Sequence, residues 1–223
     1  MEDLFKAVIF DWDGTLADTR EVIVESFRKA LGEANLSVSR KFVERRIGIG
    51  AEETFKEILK ASHVEITTVI VKRLIDSKNR AEIKLGDRVN LFDGAADLLK
   101  ALKGRAKLAL ASMNNREVID HLIKVKKVDS FFDVVLTANE VQHSKPDPEI
   151  FLKGALKLDV EPTECVVVED SIFGVRAAKA ANMGCVAVLT GVYSRPELEK
   201  ANPDIIINSL KERSKILNFV FQK

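Results

Sequence analysis

Short apolar runs alternate with amphipathic segments along most of the chain. The runs are rich in Val, Ile, Leu and Ala, which is typical of buried strands, and the segments between them repeat apolar residues at helical spacing. Because strands that alternate with helices form parallel sheets covered on both faces, the pattern predicts an α/β fold. The predicted strands are Lys6–Phe10, Lys107–Ser112, Val134–Thr137, Cys165–Glu169, Val186–Leu189 and Asp204–Ile207, and the predicted accompanying helices are Ala95–Leu102, Arg116–Val125, Pro148–Leu158, Ile172–Ala181 and Leu210–Phe221.

The segment formed by residues 17–90 interrupts this alternation, because it contains helical patterns and no convincing strand. We interpret it as a helical cap inserted between the first two strands of the sheet. The predicted domains are therefore an α/β core, residues 1–16 and 91–223, and a cap, residues 17–90. Hinges are predicted near Leu16–Thr19 and Val89–Asp93. The predicted cap helices are Glu21–Leu31, Ser39–Ile47, Glu52–Ala61 and Thr67–Ile83.

The composition narrows the class of partner and the compartment. The chain has 223 residues, 46% of them hydrophobic, with 35 Lys and Arg against 34 Asp and Glu, so no net field favours nucleic acid or an anionic membrane. No apolar signal-like stretch precedes the first predicted strand and no apolar stretch reaches about 18 residues, so we expect neither a signal peptide nor a membrane span. Cys165 and Cys185 each open an apolar run, which predicts buried, reduced thiols. We predict a cytoplasmic protein, monomeric or homodimeric, with no nucleic-acid or membrane partner.

Asp11 and Asp13 follow the first predicted strand, and Gly14 marks the turn that ends it. Two carboxylates this close repel each other unless a cation lies between them or one holds a proton. Open α/β sheets bind ligands at the carboxyl ends of their strands, so this pair is expected to face a ligand. An aspartate at a turn can instead hydrogen-bond nearby backbone, so the pair alone leaves an ordinary turn open.

Polar residues also follow the next three predicted strands, and a parallel sheet would bring all of these strand ends to one edge. Three or four carboxylates, a hydroxyl, an amide and a lysine are therefore expected to converge in one crevice. In chain order, the residues that follow these strands are Ser112, Met113 and Asn114, then Lys145, then Glu169 and Asp170.

This mixture of side chains favours phosphoryl-transfer chemistry. Carboxylates are hard oxygen ligands suited to Mg²⁺, and the lack of accompanying His or Cys disfavours zinc. Hydroxyl, amide and helix N-terminal N–H groups can hold phosphate oxygens, and Lys145 adds a positive charge beside them. With negative groups held together in this way, Asp11 could attack phosphorus and form an aspartyl-phosphate.

Four motifs in this order resemble those of the haloacid dehalogenase-like (HAD) superfamily, in its branch with a helical cap after the first strand. The resemblance covers essentially the whole chain, and it implies a Rossmann-like doubly wound parallel sheet with an inserted α-helical cap domain. The chain is similar to phosphoglycolate phosphatase-like and β-phosphoglucomutase-like proteins. The motifs are Asp11-Trp12-Asp13-Gly14-Thr15-Leu16, the stretch that begins at Ser112, Lys145-Pro146-Asp147-Pro148 and Glu169-Asp170.

The resemblance implies catalytic roles for three of these residues. Asp11 is the expected nucleophile, and Asp13 is the expected general acid/base, which protonates the leaving oxygen and then activates water. Lys145 is expected to neutralise charge at the phosphoryl group. Taken alone, a lysine before a proline is an ordinary surface residue, and only the wider pattern assigns it this role.

The resemblance also implies the binding groups. Ser112 and Asn114 are expected to bind the transferring phosphoryl group, with Met113 contributing its backbone. Mg²⁺ is the expected cofactor, and many relatives have glycine where Glu169 stands, so direct ligation by that residue stays open. The expected metal ligands are Asp11, Asp13 through its backbone carbonyl, Asp170 and Glu169.

Asp13 favours cleavage of phosphate esters over dehalogenation, because it can protonate an oxygen leaving group and true dehalogenases resemble one another in lacking it. Specificity is expected in the cap, where Arg46 and Gly48 are the candidate substrate-binding residues. The turn Gly48-Ile49-Gly50 resembles that of phosphoglycolate-type phosphatases and departs from the mutase loop, which places an arginine after the glycine.

We therefore predict a Mg²⁺-dependent phosphatase that acts on a small phosphorylated metabolite, either a sugar phosphate or a phosphoglycolate-like compound. A β-phosphoglucomutase-like mutase is the alternative, since its core shares the Glu-Asp pair of the fourth motif. A 2-haloacid dehalogenase and a non-catalytic phospho-acceptor module are less favoured. An acceptor module would be about half this length and would need no cap.

Overall fold

A computed structural model describes residues 5–221 and contains a six-stranded parallel sheet and a two-stranded antiparallel ribbon. The strands are β1 (Ala7–Phe10), β2 (Ala17–Asp18), β3 (Asn90–Leu91), β4 (Lys107–Ala111), β5 (Val134–Leu136), β6 (Cys165–Glu169), β7 (Gly184–Val188) and β8 (Ile205–Ile207). Their order in the sheet is β5-β4-β1-β6-β7-β8, and β2 pairs with β3 in the ribbon. The predicted α/β fold with a doubly wound parallel sheet is confirmed.

Ten α-helices accompany these strands among the described residues. They are α1 (Arg20–Glu33), α2 (Arg40–Glu44), α3 (Ala51–Ala61), α4 (Thr68–Lys84), α5 (Ala95–Leu102), α6 (Arg116–Val125), α7 (Glu149–Leu158), α8 (Ile172–Ala180), α9 (Arg195–Glu199) and α10 (Arg213–Phe221). Strand β1 shows why the sheet is covered on both faces, since all four of its side chains are buried. Successive side chains point to opposite faces, so Val8 and Phe10 pack with α5, α6 and α10, while Ala7 and Ile9 pack with α7 and α8.

Helices α1 to α4 have a separate apolar core. Phe27 of α1 and Phe55 of α3 lie at its centre, with their ring centroids 4.6 Å apart, and Leu74 of α4 packs in the same cluster. These helices bury their apolar faces against one another and not against the sheet. This packing is compatible with a cap formed by residues 17–90, and the division into two domains stays a prediction.

The prediction that residues 17–90 contain no strand is wrong at both ends of the segment. Ala17 pairs with Leu91 and Asp18 pairs with Asn90, so β2 and β3 join the two chain crossings between the sheet and helices α1 to α4. Two-residue strands carry no apolar periodicity, and only the proximity of the two crossings creates them.

The remaining boundaries agree with the predictions to within one or two residues, with a few exceptions. The helix predicted at Ser39–Ile47 spans only Arg40–Glu44, and turns follow it up to Gly48, whose φ of +105° is a left-handed conformation that favours glycine. A 3₁₀ turn at Leu210–Glu212 precedes α10, so the predicted C-terminal helix is shorter than expected. Helix α9 was not predicted, because its single turn is too short for a periodic pattern.

Candidate functional site

The carboxyl ends of β1, β4 and β6 meet at one edge of the sheet, because Phe10 lies beside Leu110 on one side and Val168 on the other. The side chains that follow these strands therefore enter one crevice, as the sequence pattern predicts. Lys145 joins them from the segment between β5 and α7. All of these side chains are almost completely buried, with exposed fractions between 0% and 7%: Asp11, Asp13, Ser112, Lys145, Glu169 and Asp170.

Lys145 is a buried cation between two buried carboxylates. Its Nζ donates to Asp11 Oδ1 at 2.7 Å, to Glu169 Oε1 at 2.7 Å and to the Ala111 carbonyl at 3.2 Å. Burial opposes its charged form, but the negative charges of Asp11 and Glu169 outweigh this effect and raise the pKa of Lys145. The lysine therefore stays protonated at neutral pH and offsets part of the negative charge in the crevice.

Both carboxylate oxygens of Glu169 already have partners. Oε1 accepts from Lys145, and Oε2 accepts from the backbone N–H groups of Asp170 and Ser171 at 2.9 Å and from the Ser171 hydroxyl at 3.0 Å. Gly174 leaves room for this carboxylate, because a Cβ at that position would lie 1.8 Å from Oε1. Glu169 thus holds the lysine and the turn after β6 in place, a role that its sequence position does not reveal.

Asp170 faces Asp11 across the edge of the sheet. Its Oδ1 accepts from the Thr15 hydroxyl at 3.0 Å, and Gly14 permits this approach, since a Cβ there would lie 2.4 Å from Asp170 Oδ2. One carboxylate oxygen each from Asp11, Glu169 and Asp170 lie within 4.8 Å of one another. Among the described residues, Asp11 Oδ2 is buried and has no hydrogen-bond partner.

These groups fit a hard divalent cation such as Mg²⁺. The donors are all carboxylate oxygens, they are buried, and they lie close enough together to share one ion. Burial, helped by the charges of Glu169 and Asp13 and opposed by Lys145, raises the pKa of Asp11 to about 8. Burial and the neighbouring Glu169 and Asp11 also raise the pKa of Asp170. A cation would replace the protons that these carboxyls otherwise retain.

Asp13 is buried and lines the crevice next to Ser112. Ser112 Oγ donates to its Oδ2 at 3.2 Å, and its Oδ1 is buried without a hydrogen-bond partner among residues 5–221. Burial and the charge of Glu82 raise the pKa of Asp13 to about 6, and Lys78 opposes this rise. Both protonation states of Asp13 are therefore accessible near neutral pH, as proton transfer in both directions requires.

Helix α4 contributes two charged residues to the site that the sequence analysis missed. Lys78 Nζ donates to Asn114 Oδ1 at 2.8 Å, and Asn114 Nδ2 donates to Glu82 Oε1 at 2.7 Å. Lys78 and Glu82 also form an ion pair with each other, one helical turn apart. The i, i+4 spacing is the only signal in the sequence, and it is equally typical of a solvated helix face.

The crevice beside Asp13 lies between the sheet edge and helices α1 to α4. Arg46 and Gly48 line it from the helical side, and their role in substrate binding stays a prediction. The guanidinium of Arg46 donates from Nε to Glu57 Oε2 at 2.6 Å and lies 3.5 Å from the centroid of the Phe42 ring. The other lining residues are Asp13, Ile23, Phe27, Val43, Ile47, Gly50, Ala51, Thr54, Lys78, Met113 and Asn114.

The loop that carries Gly48 rests on the sheet edge. A Cβ at Gly48 would lie 3.0 Å from Ser171 Oγ, and a Cβ at Gly50 would lie 3.2 Å from the Met113 carbonyl. These close approaches bring the loop over the turns that follow β4 and β6.

Among the described residues, no helix is both long and apolar enough to cross a membrane.

Comparisons with known proteins show the family of the chain. Pyrophosphatase PpaX of Bacillus mycoides is 30% identical to the chain over 213 residues, 95% of this chain and 96% of that protein. Fructose-1-phosphate phosphatase YqaB of Escherichia coli is 29% identical over 84% of this chain and 98% of its own. A β-phosphoglucomutase structure from Clostridium difficile superposes with a TM-score of 0.83 and 27% identity, covering 93% of this chain and 92% of that one. The sequence profile of haloacid dehalogenase-like hydrolases matches residues 8–188, so the chain belongs to that family.

Proposed function

We propose that the protein is a Mg²⁺-dependent phosphatase that hydrolyses small phosphorylated metabolites through an aspartyl-phosphate on Asp11. The observation that carries this proposal is the buried, unpartnered Oδ2 of Asp11, whose other oxygen is held by Lys145. An oxygen in this position is free to attack phosphorus while the lysine offsets the negative charges that it approaches. The names of PpaX and YqaB support a phosphatase.

Asp11, Asp170 and the backbone of Asp13 would hold Mg²⁺, which supplies positive charge against the phosphate oxygens when it is bound. Glu169 contributes less as a ligand, because both of its oxygens are already occupied. The Ser112 hydroxyl and the backbone N–H groups that follow β4 would hold the phosphoryl oxygens. Lys145 neutralises charge beside them.

The proposed reaction has two steps. Asp11 Oδ2 forms a bond to phosphorus as the ester P–O bond breaks, and Asp13 gives its proton to the leaving oxygen. A water molecule then attacks phosphorus, Asp13 takes a proton from it, and the bond between phosphorus and Asp11 breaks. The pKa of about 6 at Asp13 suits both of these proton transfers near neutral pH.

Residues 17–90 act as a cap over this site in our proposal, and residues 1–16 and 91–223 form the core that carries the chemistry. The support is the position of the Gly48 loop against Ser171, together with the ribbon of β2 and β3 at both chain crossings. A closed cap excludes bulk water while the phosphoryl group is transferred, and the ribbon is the natural place for a hinge.

Thermal unfolding tests the metal site. The folded-state pKa of Asp11 is about 8 and its ordinary value is 3.8, so the metal-free folded protein holds more protons than the unfolded chain between these values. Metal-free stability therefore falls as pH rises through this window. Mg²⁺ takes the place of the protons, so we expect the rise in Tm that it causes to be larger at pH 8 than at about pH 5.

The measurement compares Tm with Mg²⁺ and with a chelator across this pH range. The Asp170→Asn variant serves as the control, because loss of one carboxylate should reduce the Mg²⁺-dependent rise at every pH. A rise of the same size at both ends of the range, or none in the unmodified protein, would contradict the proposed site.

A substrate screen tests the activity. We expect Mg²⁺-dependent release of inorganic phosphate from at least one member of a panel of phosphorylated sugars, phosphoglycolate and nucleotides, and no release with a chelator present. The likeness to β-phosphoglucomutase makes a mutase the second candidate, so the panel includes β-glucose 1-phosphate. Conversion to glucose 6-phosphate without phosphate release would replace the phosphatase proposal with the mutase.

A further inference from the structure

The ion pair between Lys78 and Glu82 is buried, with side-chain exposures of 4% and 0%. Only Lys78 lines the crevice, and Glu82 lies behind it, where it also accepts from Asn114 Nδ2. A buried charge of this kind is costly unless it is paired, so the pair is a fixed part of the crevice wall.

In the crevice beside Asp13, each cation among the described lining residues is paired with a carboxylate. Lys78 is paired with Glu82, and Arg46 is paired with Glu57. Most of the remaining wall beyond Asp13 is apolar, and it includes Ile23, Phe27, Val43, Ile47 and Ala51. The part of the crevice that would receive the leaving group therefore carries no surplus positive charge.

This charge balance determines what the leaving group can be. A carboxylate or a second phosphate would lose its hydration in the crevice without gaining an unpaired cation, which is unfavourable. The free-energy cost of removing water from a hydroxyl is smaller than that for a carboxylate or a phosphate. Lys78 has three N–H groups, and its contacts with Asn114 and Glu82 leave one for such a hydroxyl.

We infer that Glu82 is a specificity determinant: by neutralising Lys78, it selects phosphomonoesters whose leaving group is an uncharged, hydroxyl-bearing molecule over esters with a second anionic group. This inference rests on the proposed phosphatase function and names its substrate class. Glu82 acts through Lys78 and does not line the crevice, so it positions and neutralises the binding group without taking part in the chemistry.

The test compares two substrates that differ only in a distal phosphate, fructose 1-phosphate and fructose 1,6-bisphosphate, by measuring phosphate release from position 1. The unmodified protein should have the higher kcat/KM for the monophosphate. Glu82→Gln should lower the ratio of kcat/KM for the monophosphate to kcat/KM for the bisphosphate by about 10- to 100-fold, mainly through a lower KM for the bisphosphate. This variant also alters the surroundings of Asp13, which should change the rates with both substrates equally. Such a change cancels in the ratio, so the ratio is the readout.

The same helix offers a matched control. Lys72 and Asp76 form an i, i+4 pair like Lys78 and Glu82, but their side chains are 72% and 44% exposed. Asp76→Asn should leave the substrate ratio unchanged. The double variant Lys78→Gln/Glu82→Gln removes both charges, so its ratio should return towards that of the unmodified protein, and Lys78→Gln alone should disfavour the bisphosphate further. These two variants decide the question if Glu82→Gln does not fold.

The outcomes separate the two proposals. If the unmodified protein releases no phosphate from any substrate in the panel, the phosphatase function is wrong. If it hydrolyses phosphate esters but prefers the bisphosphate, or if Glu82→Gln and Asp76→Asn have the same ratio in folded proteins, the inference about Glu82 is wrong and the phosphatase function stands.

Discussion

Replacing Asp11 by asparagine is expected to lower kcat on the order of 10⁵-fold, the size of effect seen when a catalytic nucleophile is removed. Asparagine keeps the shape of the side chain and can still accept a hydrogen bond from Lys145, but its amide cannot form a phosphate ester that water then hydrolyses. The loss should appear in kcat with every substrate. Single-turnover kinetics with Mg²⁺ present would measure it.

A covalent trap makes this prediction specific to the intermediate. Borohydride reduces an acyl phosphate and leaves a free carboxylate unchanged, so mass spectrometry of the reacting protein should find homoserine at position 11. Asp97→Asn, on the exposed side of α5, is the control and should keep both full activity and the trapped product. Turnover of Asp11→Asn at the unmodified rate, in a protein with a normal circular dichroism spectrum, would remove the aspartyl-phosphate mechanism.

Replacing Lys145 by methionine is expected to reduce the free energy of unfolding by about 3–5 kcal/mol, because it leaves buried charges without a counter-ion. Lys145 holds Asp11 and Glu169 together, and all three side chains are at most 3% exposed. Without the lysine, the pKa of Asp11, which burial already raises, rises further, so the protonated form of Asp11 relieves the repulsion in acid. The loss should therefore be larger at pH 8 than at about pH 5 when urea unfolding is measured without metal.

Lys153→Met is the matched control for this experiment. Lys153 also forms an ion pair, with Glu149, but its side chain is 40% exposed. Removing a partly exposed pair should cost less than about 1 kcal/mol. Equal losses in the two variants would show that the buried lysine does not balance the carboxylates, and the electrostatic account of the site would have to be abandoned.

The strand-end residues of the site could be predicted from the sequence because their positions follow from one rule of sheet geometry. Asp11 and Ser112 come directly after an apolar run, Asp170 comes one residue later, and parallel strands bring their carboxyl ends to one edge. The contacts of Glu169 could not be predicted in the same way. Its position at the end of β6 allowed metal ligation, whereas its contacts with Lys145 and the Ser171 turn depend on how separate segments pack.

Helix α4 shows what sequence patterns cannot distinguish. Lys72–Asp76 and Lys78–Glu82 have the same residue classes at the same spacing on one helix, yet the first pair is solvated and the second is buried beside Asn114. An i, i+4 pattern states which side chains share a helix face, but it contains no information on what that face meets. The short strands β2 and β3 were missed for the same reason, since their pairing depends on two distant chain crossings.

The sequence by itself determined the parallel sheet, the inserted helices and the set of strand-end residues, because apolar periodicity and strand-end geometry are local properties that a single chain displays. Only the tertiary structure decided the charge balance of the crevice: which carboxylate neutralises which cation, and which oxygen of Asp11 is left without a partner. The physical reason is that burial and ion pairing depend on contacts between residues far apart in sequence. These contacts set both the pKa values and the charge that a substrate meets.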